Sequence, residues 1–277
     1  MFEKRFNFIC VNYNGAHFCE KLLDSLEKLL VLNDQKVRLI IVDNNSKIED
    51  KNVLNELITQ SSNVEIQILY LPENIGYFPA MNKGINFIEY NNNEVVIIGN
   101  NDLEYSDDFL IEYEKLNLDK NTLVISPNVI TIDGKYQNPI SVRKLSKIEF
   151  LIEEIYYSNY YVSRLMIKSK ALFNKVFKKE KNILNEKPHR GIIKRGIGAC
   201  YVLTDNFFKF YNELDAPVFM WGEEAILSNQ VNKAEGHIML EPTLLVTHAE
   251  SGTVKKILNK TRYEMVRASF KIYKKYL

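Results

Sequence analysis

The sequence predicts an α/β protein built on a parallel sheet, on three observations. Strand-like and helix-like stretches alternate through residues 6–99. The strand-like stretches are short apolar runs, the pattern of strands covered on both faces. Three of them stop at clusters of Asn, Asp and Gly, which turn a chain after a strand. Such alternation implies right-handed crossovers, with every cluster brought to the same rim of the sheet.

The elements follow in order. Residues 6–12 (FNFICVN) form a strand closed by Tyr13-Asn14-Gly15, and Phe18, Leu22, Leu23, Leu26, Leu29 and Leu30 mark the apolar stripe of a first helix. Residues 36–43 (KVRLIIVD) are a second strand, and Ser46 with Glu49 has the spacing of a capping box for a helix over 50–60. Residues 64–71 make a third strand, and Pro79 suits the first turn of a helix over 80–90. Residues 94–99 (EVVIIG) are the fourth strand, ending at Asn100-Asn101-Asp102. Beyond it, 107–116 reads as helix, 122–132 as strand, and Asp133-Gly134 as a hairpin turn with 135–138 returning. Residues 146–177 are apolar, aromatic and helix-permissive, and 178–195 form a basic loop or lid. Residues 196–204 return to an extended pattern, Asp205 caps a helix over 206–214, a turn at 218–222 opens another helix, and 244–248 is a strand. The tail over 254–277 is helix-like and basic.

Composition narrows the function. The chain has 277 residues, enough for one large domain or one domain with a sizeable appendage. A net charge of +1 gives no global field for nucleic acid. Cys10, Cys19 and Cys200 lack metal-ligand spacing, and their odd number speaks against a disulfide framework. The first residues lack the apolar stretch of a signal peptide, and no run has the length to span a bilayer. The expectation is a cytoplasmic, reduced protein. VNYNGAHF lacks the glycines of a dinucleotide-binding turn, and no Walker-type phosphate loop is present.

Two places carry chemistry. Asp102, just past a buried strand, can hold a divalent cation against a phosphate or can belong to the turn before the next helix. Glu223 and Glu224 open a helix after an aromatic turn, where they can complement the helix dipole or serve as acid and base. His248 ends a strand and is either structural or a ligand. Tyr156, Tyr157, Tyr160 and Tyr161 can floor a sugar site or pack a core. His189, Arg190, Lys194 and Arg195 can contact a diphosphate or face solvent. The basic, aromatic tail can rest on an anionic membrane, pack back on the domain or join a second subunit as a homodimer.

VNYNG, LIIVDNNS, NIGYFPAMNKGI and VVIIGNND together resemble the family 2 glycosyltransferases of the GT-A fold, nearest the bacterial enzymes of capsule, O-antigen and rhamnosyl transfer. GIGACYVLT through MWGEEAIL resembles the family's second signature. The resemblance implies a GT-A domain over 1–250, with a donor-binding half about 1–140 and an acceptor half, including a helical insertion, about 141–250. Residues 251–277 would be a C-terminal basic amphipathic helix. It implies an inverting hexosyl- or rhamnosyl-transferase using a UDP- or dTDP-sugar, with Mn²⁺ or Mg²⁺ as cofactor. The acceptor would be a glycan or an undecaprenyl-linked oligosaccharide at the inner face of the membrane. By the same resemblance Asn12 and Tyr13 flank the base and Asp43 accepts from its ring N–H. Asn14, Asn45, Asn74, Gly76, Asn82, Asn100 and Asn101 complete the donor site. Asp102 and His248 hold the metal, with Ser251 and Thr253 as phosphate contacts. Glu224 is the base, Glu223 its acidic neighbour, and Gly198, Ala199 and Trp221 face the acceptor. Asn100 stands where the family usually has an acid, and Ile226 and Gln230 replace two further polar groups. The thinned Asn100-Asn101-Asp102 motif keeps in view a non-catalytic carbohydrate-binding or scaffolding protein on the same fold; a second rival, a sugar nucleotidyltransferase, would carry a basic glycine-rich turn that VNYNG lacks.

Overall fold

The computed structural model describes residues 4–29, 35–61, 63–91, 93–176, 187–249 and 259–277. Its first half follows the predicted alternation: β1 (Arg5–Asn12), α1 (Ala16–Glu27), β2 (Lys36–Asp43), α2 (Ile48–Gln60), β3 (Val64–Tyr70), α3 (Tyr77–Phe87) and β4 (Glu94–Asn100). The second half runs β5 (Leu103–Tyr105), α4 (Phe109–Glu114), β6 (Thr122–Thr131), α5 (Lys147–Tyr156), α6 (Tyr160–Val176), β7 (Gly191–Ile193) and β8 (Cys200–Leu203). It closes with α7 (Asp205–Phe208), α8 (Glu223–Lys233), β9 (His237–His248) and α9 (Asn259–Tyr273).

These strands form one nine-stranded sheet in the order β3-β2-β1-β4-β8-β6-β9-β5, with β7 on β9. The sheet is parallel through β3-β2-β1-β4 and mixed beyond, where β8 runs antiparallel to β4 and β6, and β5 and β7 antiparallel to β9. Chain order reverses on either side of β1, so the β1/β4 boundary is a switch point where a crevice opens beyond the strand ends. Register decides which residues meet there. Asn12 pairs with Asp43 and Val11 with Asn100 across the parallel ladders, while Gly99 faces Cys200 and Leu103 faces His248 across antiparallel ones.

One core lies on each sheet face. On one, α1 buries Leu22, Leu23 and Leu26 against Phe8, Leu39, Ile41 and Ile97; on the other, α3 buries Phe78, Met81 and Ile85 against Ile9, Ile40 and Val96. Truncating any one of these leucines to alanine should cost about 2–5 kcal/mol. All three cysteines are free and buried.

Several local expectations change. Ser46 does not cap α2; Lys47 occupies that position, and the Ser46 hydroxyl is engaged by Asn12 and by the Asn14 N–H. The same S-x-x-E spacing does form a capping box at Ser146 and Glu149. Helix α3 starts earlier than predicted because Gly76, at φ 96°, turns the chain and the Tyr77 N–H donates to Phe219 O at 2.8 Å. A β-carbon at residue 76 would lie 2.2 Å from that carbonyl oxygen, so only glycine fits. The helix expected after Asp205 is one turn, begun at Thr204, and the Asp205 carboxylate accepts from Tyr90 instead. Within the predicted lid, residues 191–193 are strand β7 and Arg190 pairs with Glu241 at 2.9 Å; residues 178–186, with Ser251 and Thr253, lie outside the described residues.

The tail helix α9 packs back on the domain. Phe270 and Tyr273 join Val218, Ala225 and Ile226 in a third small core, and Ser269 donates to Met220 O at 2.6 Å. Tyr156, Tyr157 and Tyr160 turn toward α9, whereas Tyr161 faces solvent. No described helix is long and apolar enough to cross a membrane.

Candidate active site

The rim beyond β1, β2 and β4 is tied together by its own side chains. The Asn12 amide donates to Asp43 (3.0 Å), Ser46 (3.1 Å) and Asp50 (2.7 Å), and its carbonyl oxygen accepts from the Gly15 N–H and from Asn101. Asp43 is 0% exposed and also accepts from the Ser46 N–H. Asn12, Asp43 and the half-buried Asn101 thus brace the rim through their own hydrogen bonds, and the Asp43 carboxylate oxygens, each accepting one bond, keep acceptor capacity. The Asn82 amide exchanges two hydrogen bonds with the Leu214 backbone. Tyr13 (40% exposed), Asn14, Asn45 and Asn74 keep surface at the rim. Asn14 and Asn45 both have positive φ, 54° and 65°, as tight turns there require. Asn44, in the same cluster as Asp43, clamps the next turn: it donates to Asn74 and Gly76 O and accepts from the Ile75 N–H, each at 2.9 Å.

Asp102 and His248 do meet. His248 Nε2 lies 3.2 Å from Asp102 Oδ1, and the Ala249 N–H donates to Asp102 O, because β5 pairs with β9. Both side chains are largely buried. Gln137 Oε1 lies 2.8 Å from His248 Nδ1, and the Asn100 amide nitrogen 3.2 Å from Nε2. With Nδ1–H donated to Gln137, Nε2 presents a lone pair beside the Asp102 carboxylate. Among the described residues no three His, Cys, Asp or Glu side chains converge. One carboxylate and one imidazole nonetheless suit a cation that takes its remaining ligands from phosphate and water.

Tyr77 links this pair to the second centre. Its hydroxyl donates to Asn100 Oδ1 at 2.8 Å and lies 3.4 Å from Gly198 O. Burial, then the Glu223 carboxyl, push the phenol well above its usual range, so it stays a donor. On the other side of the same residue, the Gly198 N–H donates to Glu224 Oε1 at 3.3 Å. Trp221, at φ 69°, and Gly222, at φ 95°, form the sharp turn that presents the acid pair at the start of α8. Glu223 is 6% exposed, and its Oε1 has no hydrogen-bond partner among the described residues. Its pKa is pushed up to about 8 by burial and then by the Glu224 charge. Glu224 is also raised by burial, opposed by its own N–H, the Gly198 N–H and Arg195. Glu223 therefore holds its proton at neutral pH.

Residues 8–179, more than half of the chain, match glycosyl transferase family 2. The chain belongs to that family. No curated protein matches the sequence. Solved structures show the same fold at low identity, which for a family 2 chain is the GT-A arrangement. GalNAc-T7, solved with UDP, GalNAc and Mn²⁺, superposes with a TM-score of 0.61 at 15% identity over 89% of this chain and 44% of its own. The Pyrobaculum calidifontis mannosyltransferase PcManGT, solved with GDP-Man and Mn²⁺, gives 0.58 at 14% identity over 98% and 65%. S. aureus TarS 1-349 gives 0.55 at 13% identity over 88% and 60%. The chain thus spans between 44% and 65% of the length of these three. In this family 2 chain Glu223, Glu224 and His248 lie beyond the matched stretch.

Sequence reasoning missed Tyr77, Gln137 and Asn44. Tyr77 and Asn44 sit inside motifs that the sequence displays, but not which side chain turns inward. Gln137 had no local signal, since only the β6–β9 pairing, Thr131 opposite His248, carries its hairpin to the histidine.

Proposed function

We propose that this protein is an inverting glycosyltransferase that uses a nucleotide-diphosphate sugar, UDP- or dTDP-linked, to glycosylate a glycan or lipid-linked oligosaccharide in surface polysaccharide synthesis. The observation that carries this reading is one unbroken run of contacts, Asp102–His248–Asn100–Tyr77–Gly198–Glu224, joining the diphosphate end of the crevice to the carboxylate pair. Mn²⁺ in two neighbours supports a divalent cation here, Mn²⁺ or Mg²⁺, held by Asp102 and His248. When bound, it neutralises charge on the departing diphosphate.

The chain's own residues do the rest. Tyr13, Asn14 and Asn45 line the nucleotide end, with Asn12, Asp43 and Asn101 bracing them from below and Asn74 and Gly76 shaping the turn beside them. Asn100, oriented by Tyr77, presents its amide to the sugar side. Gly198, Ala199 and Trp221 border the acceptor. Glu224 takes the proton from the acceptor hydroxyl as its oxygen bonds to the anomeric carbon. The bond from that carbon to the diphosphate oxygen breaks in the same displacement, so configuration inverts. Glu223, holding its proton at neutral pH, adds no second charge beside Glu224. A screen of UDP-, dTDP- and GDP-sugars for nucleotide release, with and without Mn²⁺, tests the proposal. Release from one donor class supports it, and silence with every donor in the presence of metal defeats it.

A further inference from the structure

A groove of about 370 Å³ runs between α5, α6 and α9 beside the turn that carries the acid pair. Tyr156, Tyr160, Tyr263 and Trp221 line it, together with Arg164 and Arg262. The aromatic wall is rigid: the Tyr263 ring meets Tyr160 at 5.4 Å and Tyr156 at 6.1 Å, and the Tyr263 hydroxyl donates to Tyr156 O. It is also coupled to the chemistry. Trp221 stands three positions before Glu224, and the Tyr273 ring that packs against Gly222 lies in one core with Phe270, on which Tyr157 packs at 4.4 Å.

The charges in this wall are unequal in their commitments. Arg267 is occupied, donating to Tyr157 O and pairing with Glu264, and Glu154 pairs with Lys274. Arg164 and Arg262 are exposed and make no hydrogen bond or ion pair with any described residue. Helix α6 contains no acidic residue at all. An aromatic floor with two unanswered guanidinium groups has a definite complement. Ring faces pack against the C–H faces of a pyranose. Guanidinium forks bind phosphate or carboxylate in pairs of charge-assisted hydrogen bonds.

We infer that this groove binds the acceptor glycan and that the glycan carries an anionic group, phosphate or carboxylate, held by Arg164 and Arg262. The word acceptor rests on the transferase reading; the binding does not, and it is measured without turnover. Trp221 is the only tryptophan in the chain, so intrinsic fluorescence reports on the groove directly. Length-matched neutral, uronate and phosphorylated oligosaccharides on glucose, galactose and mannose backbones would be titrated against the full chain. Anionic members should shift the emission and bind about tenfold or more tightly than neutral ones, the worth of charge-assisted hydrogen bonds. The Arg164→Gln/Arg262→Gln double variant should lose that preference and keep the neutral affinity, while Arg164→Lys/Arg262→Lys retains part of it. The uronate and phosphate arms identify which anion is read. Equal binding of neutral and anionic sugars, an unaffected double variant, or no response to any member overturns the inference. Nucleotide release measured on the same samples without acceptor separates the two readings. Turnover with a silent groove removes the groove alone, and an anion-selective groove without turnover removes only the transferase.

Discussion

Gly198 and Glu224 meet backbone to side chain: the Gly198 N–H donates to Glu224 Oε1 at 3.3 Å, and a β-carbon on residue 198 would stand 2.9 Å from that same oxygen. The crowding falls on the end of a flexible side chain, so the carboxylate would swing aside at little cost to the fold. Gly198→Ala should therefore leave the melting temperature within about 2 °C, since an effect below about 0.5 kcal/mol moves it little. It should lower the transfer rate at least about tenfold, because a misplaced base loses its alignment. Thermal melts and initial rates on one preparation check both halves; a variant with full activity would detach Gly198 from the site.

Glu224→Gln keeps the shape of the side chain and removes its basicity. General base catalysis contributes roughly 10²–10⁴-fold. Transfer should fall by that order while nucleotide affinity, read by calorimetry, stays within about twofold, because uniform binding is untouched. Loss of nucleotide binding instead would move Glu224 from the acceptor side to the donor side.

Glu223 makes a pH signature. Its folded pKa, about 8, stands above the ordinary 4.5. Between those values the folded form holds a proton that the unfolded chain has released, so stability must fall as pH rises through the window. The loss is on the order of a few kcal/mol, complete above the folded pKa. Melting temperature against pH should decline across that range for the wild type, and Glu223→Gln, which has no proton to lose, should give a shallower curve. Glu224 shifts in the same direction, so a residual slope should remain. A wild-type curve that rises across the window would contradict a protonated Glu223.

Much of this was legible in the chain and some was not, for physical reasons. The alternating half, β1 through β4, is written in local periodicity, and local periodicity suffices when each strand is covered by the helix next to it. The rim clusters were legible too, but not the division of labour inside them. Asn12 and Asp43 hold each other by a hydrogen bond within the rim, while Asn44, one position on, holds the turn at Asn74. Side-chain alternation breaks down at a turn, so period alone cannot say which of two adjacent asparagines points inward. Strands β5 and β7 are three residues each, too short to show a pattern, and exist because β9 pairs with them. The tail read as a helix for a membrane surface, for the domain or for a second subunit; Phe270 and Tyr273 pack on Val218 and Ile226 of the domain.

Gly222 tests how firmly that packing holds the acid pair. Its φ is 95°, and a β-carbon there would reach 2.0 Å from Tyr273 Cδ1. Gly222→Ala combines left-handed backbone strain of about 1–2 kcal/mol with a displaced buried ring, so destabilisation of about 2–4 kcal/mol is expected. Chemical denaturation measures it. A change below about 0.5 kcal/mol would mean that α9 does not seat against the turn.

Gln137 offers the sharpest test of the cation site, because it reaches the pair through His248. When its carbonyl oxygen, 2.8 Å from His248 Nδ1, accepts from Nδ1–H, the Nε2 lone pair stands 3.2 Å from Asp102 Oδ1. Partners of this kind alter metal affinity by about 10–100-fold. Gln137→Leu should therefore weaken Mn²⁺ binding by that factor, measured by calorimetry with nucleotide diphosphate present, while metal-free nucleotide affinity holds. Asp102→Asn should remove the metal dependence altogether, since an amide supplies no charge to the cation. Gln137→Glu should keep or strengthen the metal, because a carboxylate accepts from Nδ1–H at least as well. If Gln137→Leu and Asp102→Asn both bind Mn²⁺ as the wild type does, the cation is held elsewhere and the pair at Asp102 and His248 is a structural contact.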